Sequence, residues 1–208
     1  ISVNLSVAQM HDPDLISTLR TSLANWNNTP DKIELELTET LLMENVDCMI
    51  DLLVEIKDLG LSLSIDDFGT GYSSLNYLHR FPIDKLKIDQ SFVRDMLDDP
   101  KDLLITRAII GLGHTLNLKV VAEGVENKEE AHMLSAAGCD ELQGYLFSPP
   151  LPPAEFVAWA KANDGGIKRQ GRGVGNLPEW KASNVAYKRL KKGRLASANA
   201  HRKTHAIG

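Results

Sequence analysis

The chain has 208 residues, of which 43% are apolar and 25% charged, with two cysteines and a formal net charge of −5. Those figures exclude collagen-like, disulfide-dense and wholly disordered classes and fit a soluble chain able to bury one sizeable core. No apolar run reaches the roughly 18 residues of a membrane span, and Ile1-Ser2-Val3-Asn4 carries no secretory pattern, so a cytoplasmic location is expected.

Short β-rich runs alternate with helical patterns from the first residue. Ile1–Ser6 is followed by a helix over about 13–26, where Pro13 follows Asp12 and Leu15, Ile16, Leu19 and Leu23 repeat at helical spacing. Lys32–Leu37 precedes a helix over about 46–59 closed by Gly60. Leu61–Ile65 leads into a Gly/Ser loop and a short helix near 73–80. Lys85–Ile88, a helix over about 101–116, Lys119–Ala122, a helix over about 128–137, Glu141–Gly144 and a helix over about 154–162 complete the pattern.

Six βα units are visible, and a parallel barrel closes with eight at about 30 residues each. The expected fold is therefore an incomplete TIM-type (β/α)8 barrel over residues 1–164, lacking its first two units and cut from a longer protein. Residues 165–208 are a different segment chemically, with eleven Lys/Arg against the single Glu179 and five glycines between 165 and 175. They read as a basic, flexible tail.

Successive strand runs end in an amide, a carboxylate or a lysine: Asn4, Glu36, the pair Asp66-Asp67, Lys87, and Glu123 with Glu126 beyond it. On parallel strands such tips converge, and oxygen donors of this kind suit hard cations. Alone, an Asp pair before Phe-Gly is more often a turn, and an isolated lysine more often solvated. Adjacent carboxylates repel unless a cation lies between them, so their company favours a shared metal site. Cys48 and Cys139 lack CxxC spacing and read as buried thiols, while His11, His79, His114 and His132 lack ligand spacing and read as structural. Trp26, Phe81, Phe92, Phe156 and Trp159 are expected to fill the helix–barrel interface.

Taken in order, Val3-Asn4-Leu5-Ser6, Glu36-Leu37-Thr38-Glu39, Asp66 through Leu75, Leu86-Lys87-Ile88-Asp89, Ala122-Glu123-Gly124-Val125-Glu126 and Gln143-Gly144-Tyr145-Leu146-Phe147 resemble the EAL domain, the cyclic di-GMP phosphodiesterase family, over about residues 1–161. The resemblance implies that Asn4, Glu36 and Asp66 hold one Mg²⁺ or Mn²⁺ and that Asp66, Asp67 and Glu123 surround a second. Glu123 would be the general base, Lys87 would hold the attacking water, and Gln143 would orient that water or the substrate. Glu39 and Thr70 would belong to the anchoring of the loop after the Asp pair, with Glu126 in support.

It further implies opening of cyclic di-GMP to linear 5′-pGpG, a homodimer, and an upstream sensory or regulatory domain. The Glu-Ala-Leu triplet that names the family is absent from these residues, and its strand is expected upstream of Ile1. A catalytically silent receptor or protein-interaction module is the alternative from another class. A nucleic-acid or anionic-membrane arm remains a third reading for the tail.

Overall fold

The computed structural model describes residues 1–25, 30–42, 45–71 and 75–163. The basic tail lies outside them, as does Trp26. The chain divides after Leu151. In the second unit the described residues form helix α9, Pro153–Asn163, on which Phe156 and Trp159 stack with ring centroids 6.3 Å apart and Phe156 is half-exposed.

The first unit holds six strands: β1 Ser2–Asn4, β2 Glu34–Thr38, β3 Ser62–Phe68, β4 Lys85–Ile88, β5 Lys119–Ala122 and β6 Glu141–Leu142. They pair in sequence order and every pair is parallel, the register of consecutive βα units. Between them lie α1 Val7–Met10, α2 Leu15–Asn25, α3 Glu39–Leu42, α4 Val46–Asp58, α5 Leu75–Leu78, α6 Gln90–Asp95, α7 Pro100–Thr115 and α8 Lys128–Ala136. The expected incomplete barrel is what these elements build, a curled half-barrel with helices. Among the described residues no strand pairs with the outer edge of β1 or β6.

Alternation along the strands sorts their side chains onto two unlike faces. Leu35, Leu37, Leu63, Ile65, Leu86, Ile88, Val120 and Ala122 point outward and are at most 3% exposed, forming one core with Met49, Leu53 and Ile56 of α4, Ile109 and Ile110 of α7, and Leu134 of α8. At about 1.5–3 kcal/mol per fully buried aliphatic side chain, this layer is the main stabilising term. Phe81 is buried in this core and Phe92 packs against it, as the sequence suggests.

The concave face is mostly polar, with Glu34 and Glu36, Ser62, Ser64 and Asp66, Lys85 and Lys87, Lys119, and Glu141, and Val121 of β5 as its apolar member. Its lower tier is ionic. Lys85 Nζ lies 2.8 Å from Glu34 Oε2 and 3.0 Å from Glu141 Oε2, and Lys119 Nζ is 3.9 Å from Glu141 Oε1.

At the foot of the sheet one device appears twice. Asp84, just before β4, accepts the Leu63 amide of β3 at 2.8 Å and binds Lys57 Nζ through both oxygens. Asp140, just before β6, accepts the Val120 amide of β5 at 2.8 Å and meets His114 Nε2 at 2.9 Å.

Three features differ from the sequence reading. β3 runs on through the Asp pair to Phe68, because strand pairing to β4 resumes at Ile88 after an irregularity. The first long helix starts at Leu15, a short capped turn at Val7–Met10 having taken up part of the preceding segment. Cys48 is exposed on α4, its side of that helix facing away from the core; Cys139 is largely covered, and burial pushes its thiol up to about 12.

Candidate active site

Four strand tips bring the upper tier together on the C-terminal rim. Lys87, on β4, is 4% exposed and its ammonium touches three carboxylates: Glu123 Oε1 at 2.7 Å, Glu36 Oε1 at 2.8 Å and Asp66 Oδ1 at 3.0 Å. Burial alone would drive its pKa down, but the bonds to Glu123, Glu36 and Asp66 win and raise it, so Lys87 stays charged. Burial raises the Glu123 carboxyl against the opposing pull of Lys87.

Asp67, next to last in β3, has φ +53°, in the left-handed region, and its amide donates to Asp66 Oδ1 at 3.1 Å. Its pKa is raised by burial first, then by the charges of Asp66 and Asp89 and a hydrogen bond with Asp89. Oxygens of Asp66, Asp67 and Glu123 lie within 4.8 Å of one another. Counting Glu36, four carboxylates face one ammonium. A carboxylate excess held this closely in partial burial fits a divalent cation, whose charge removes the repulsion and whose oxygen preference matches the donors.

The other expected residues fall into two groups. Asn4 ends β1 in register with Glu36, on the same face and exposed. Gln143 and Glu126 line an open cleft of about 440 Å³ beside Glu123, together with Gln90 and Tyr145. Glu126 also donates its amide to Glu130 Oε2 at 2.8 Å.

Glu39 sits apart, 3% exposed at the start of α3. Its Oε2 accepts the Gly69 amide at 3.0 Å, and Oε1 has no hydrogen-bond partner among the described residues. A Cβ on Gly71 would stand 2.8 Å from Oε1, so a side chain there would require the Glu39 carboxylate to shift. Thr70 braces the same turn, its hydroxyl donating to the Asp67 carbonyl at 2.8 Å.

Two contributors escaped the sequence reading. Asp89 caps α6, accepting the Ser91 amide at 2.9 Å and the Ser91 hydroxyl, and shares a side-chain hydrogen bond with Asp67. Burial alone would raise its pKa, but the Ser91 bonds lower it. Gln90 reaches the cleft because Gly124, at φ +67°, has no Cβ; one placed there would stand 2.5 Å from Gln90 Cβ. The signal for Asp89 was its place directly before a helix, a capping position whose second use only the fold reveals.

A profile of the EAL domain matches residues 1–150. The signaling protein YkoW of Bacillus subtilis is 46% identical over 156 residues, 75% of this chain and 20% of YkoW. Among solved structures, the PaMucR phosphodiesterase in its c-di-GMP complex aligns at a TM-score of 0.73 and 42% identity, covering 75% of this chain and 63% of that one. BlrP1 of Klebsiella pneumoniae, in its manganese/cy-diGMP complex, aligns at 0.66 and 37%, covering 72% and 38%. The chain spans about a fifth of the length of the curated relatives it matches. No helix among the described residues is long and apolar enough to cross a membrane. With the profile running from β1 past β6 and relatives approaching half identity across the same rim, the chain belongs to the EAL domain family.

Proposed function

We propose that the protein carrying this chain hydrolyses cyclic di-GMP to linear 5′-pGpG with two divalent cations, Mg²⁺ or Mn²⁺. The observation that carries this reading is the excess of Glu36, Asp66, Asp67 and Glu123 over Lys87, on the rim of a cleft large enough for a nucleoside. Asn4, Glu36 and Asp66 would hold one cation, and Asp66, Asp67 and Glu123 the other. Bound there, the cations supply Lewis-acid polarisation of the phosphodiester and acidify the attacking water.

The chain's own groups do the rest. Glu123, a stronger base than an ordinary glutamate because burial raises it, takes the proton of the attacking water. Lys87, whose three N–H bonds are directed at Glu36, Asp66 and Glu123, would release one of them to hold that water. Gln143 orients water or substrate from the cleft wall, with Glu126 in support, and Glu39 with Thr70 keeps the loop after Asp67 in place. The same reading places the protein in the cytoplasm as a homodimer under an upstream sensory or regulatory domain. The greater length of the curated relatives supports that last point.

The test is cyclic di-GMP hydrolysis by the full-length protein, stripped with chelator and then restored with Mn²⁺ or Mg²⁺. Turnover that disappears and returns supports the reading. Tight binding of cyclic di-GMP with no turnover under any metal would replace it with a receptor function.

A further inference from the structure

Glu34 on β2 and Glu141 on β6 are four strands apart. In a flat sheet, at about 4.8 Å per strand, their backbones would be roughly 19 Å distant. Both nevertheless contact one ammonium, Lys85 Nζ at 2.8 and 3.0 Å, so their carboxylate oxygens are no more than about 6 Å apart. To reach Glu34, Lys85 passes over β3 at Ser62 and Ser64, residues too small to obstruct it. Ser64 Oγ is fully buried and has no hydrogen-bond partner among the described residues.

The strut is shielded where it matters most: the Lys85 and Glu34 side chains are 21% and 12% exposed. Burial works against the Lys85 charge, and Glu34 with Glu141 more than offsets it. Two residues further along the same strands stand Glu36 and Lys87, so whatever sets the curl at the lower tier sets the separation of strand tips at the upper one.

We propose that Lys85 is a positioning residue: by drawing Glu34 and Glu141 onto one ammonium it fixes the curl of the sheet, and with it the spacing of the Glu36, Asp66 and Glu123 carboxylates that receive the cations. Lys85 does not touch those carboxylates. It acts through the backbone of β2, β4 and β6. The cation part of this inference rests on the function proposed above; the curl does not.

The test uses the 208-residue chain with nitroxide labels at Arg20→Cys on α2 and Glu129→Cys on α8, both exposed, in a Cys48→Ser/Cys139→Ala background. Pulsed electron-spin resonance reads the label separation, and Mn²⁺ titration without substrate reads affinity. Lys85→Met is expected to widen the separation by more than about 3 Å and to weaken Mn²⁺ about 10-fold, the scale on which residues behind a metal's ligands act. Lys85→Arg, which can still reach both glutamates, should restore both readouts. Leu53→Ala, a core truncation in α4, should lower stability and leave both unchanged.

An unchanged separation in folded Lys85→Met overturns the strut whatever Mn²⁺ does. A widened separation with unchanged Mn²⁺ affinity overturns the positioning role. A wild-type chain that binds no Mn²⁺, while Lys85→Met still widens, overturns the cation reading and leaves the strut standing.

Discussion

The lower tier pairs Lys85 and Lys119 with Glu34 and Glu141, whereas the upper tier sets Lys87 alone against Glu36, Asp66, Asp67 and Glu123. Both tiers lie on one sheet, and on β2 and β4 they stand two residues apart, Glu34 below Glu36 and Lys85 below Lys87. The lower is balanced without help and can be complete within the chain. The upper is short of positive charge, and a partly buried site in that condition raises carboxylate pKa values or takes up cations. Charge balance, more than residue type, separates a structural ion cluster from a site that awaits a ligand.

The sharpest way to break the comparison is one substitution in each tier. In the full-length protein Asp66→Asn is expected to lower Mn²⁺-dependent turnover of cyclic di-GMP more than about 100-fold, exceeding the usual cost of changing a residue behind the ligands. Thermal stability should barely move. Lys119→Ala, whose side chain is 54% exposed, should change stability by less than about 0.5 kcal/mol and leave turnover alone. Equal losses from the two would mean the tiers are not distinct.

Removing the upper tier's ammonium comes next in size. Lys87→Met should destabilise the metal-free chain by about 3 kcal/mol, because three partly buried carboxylates lose their shared partner. Mn²⁺ should raise the melting temperature of this variant more than that of wild type. If Lys85→Met costs as much and responds to Mn²⁺ in the same way, charge balance is the wrong distinction.

A smaller effect is pH dependence in chelator. Glu123 and Asp67 have raised folded pKa values, so their contribution is present below the ordinary carboxylate range and is lost as pH rises through the raised values. Mild acidification of the metal-free chain should therefore raise its melting temperature slightly, against the opposing contribution of Asp89, which is lowered. Lys85, raised, contributes below the ordinary lysine range and loses that contribution only in alkali. Saturating Mn²⁺ should abolish the acid gain, and melting curves between pH 4 and 8 check it.

The smallest effect is at the foot of β6. Cys139, raised to about 12, should react with iodoacetamide at pH 8.5 far more slowly than exposed Cys48, by about 100-fold or more in mass-spectrometric time courses.

Much of this was legible in the sequence for a physical reason. Strand tips in a parallel sheet fall at the ends of apolar runs, so Glu36, Asp66, Lys87 and Glu123 could be ranked together before any coordinates. The two-tier face was also written there: Glu34-x-Glu36, Ser62-x-Ser64-x-Asp66 and Lys85-x-Lys87 alternate with period two. Its meaning stayed hidden because an alternating strand normally reads as half-exposed, and here the polar side lines the inside of a curl. Asp89 and Gln90 could not be placed because their roles depend on contacts between distant segments, Asp89 with Asp67 and Gln90 with Gly124.

The two foot carboxylates, Asp84 and Asp140, each tie the strand they open to the strand just before it. β3 with β4, and β5 with β6, are thereby clamped as pairs, each by a carboxylate that arrives with the second strand and a nitrogen partner, Lys57 or His114, that arrives with the helix before the first. Gene exchange or circular permutation that breaks the chain between β4 and α7 keeps both clamps whole, whereas a break between β3 and β4, or between β5 and β6, splits one. The fold thus carries preferred seams at every second strand, and shuffled descendants should inherit it in pairs.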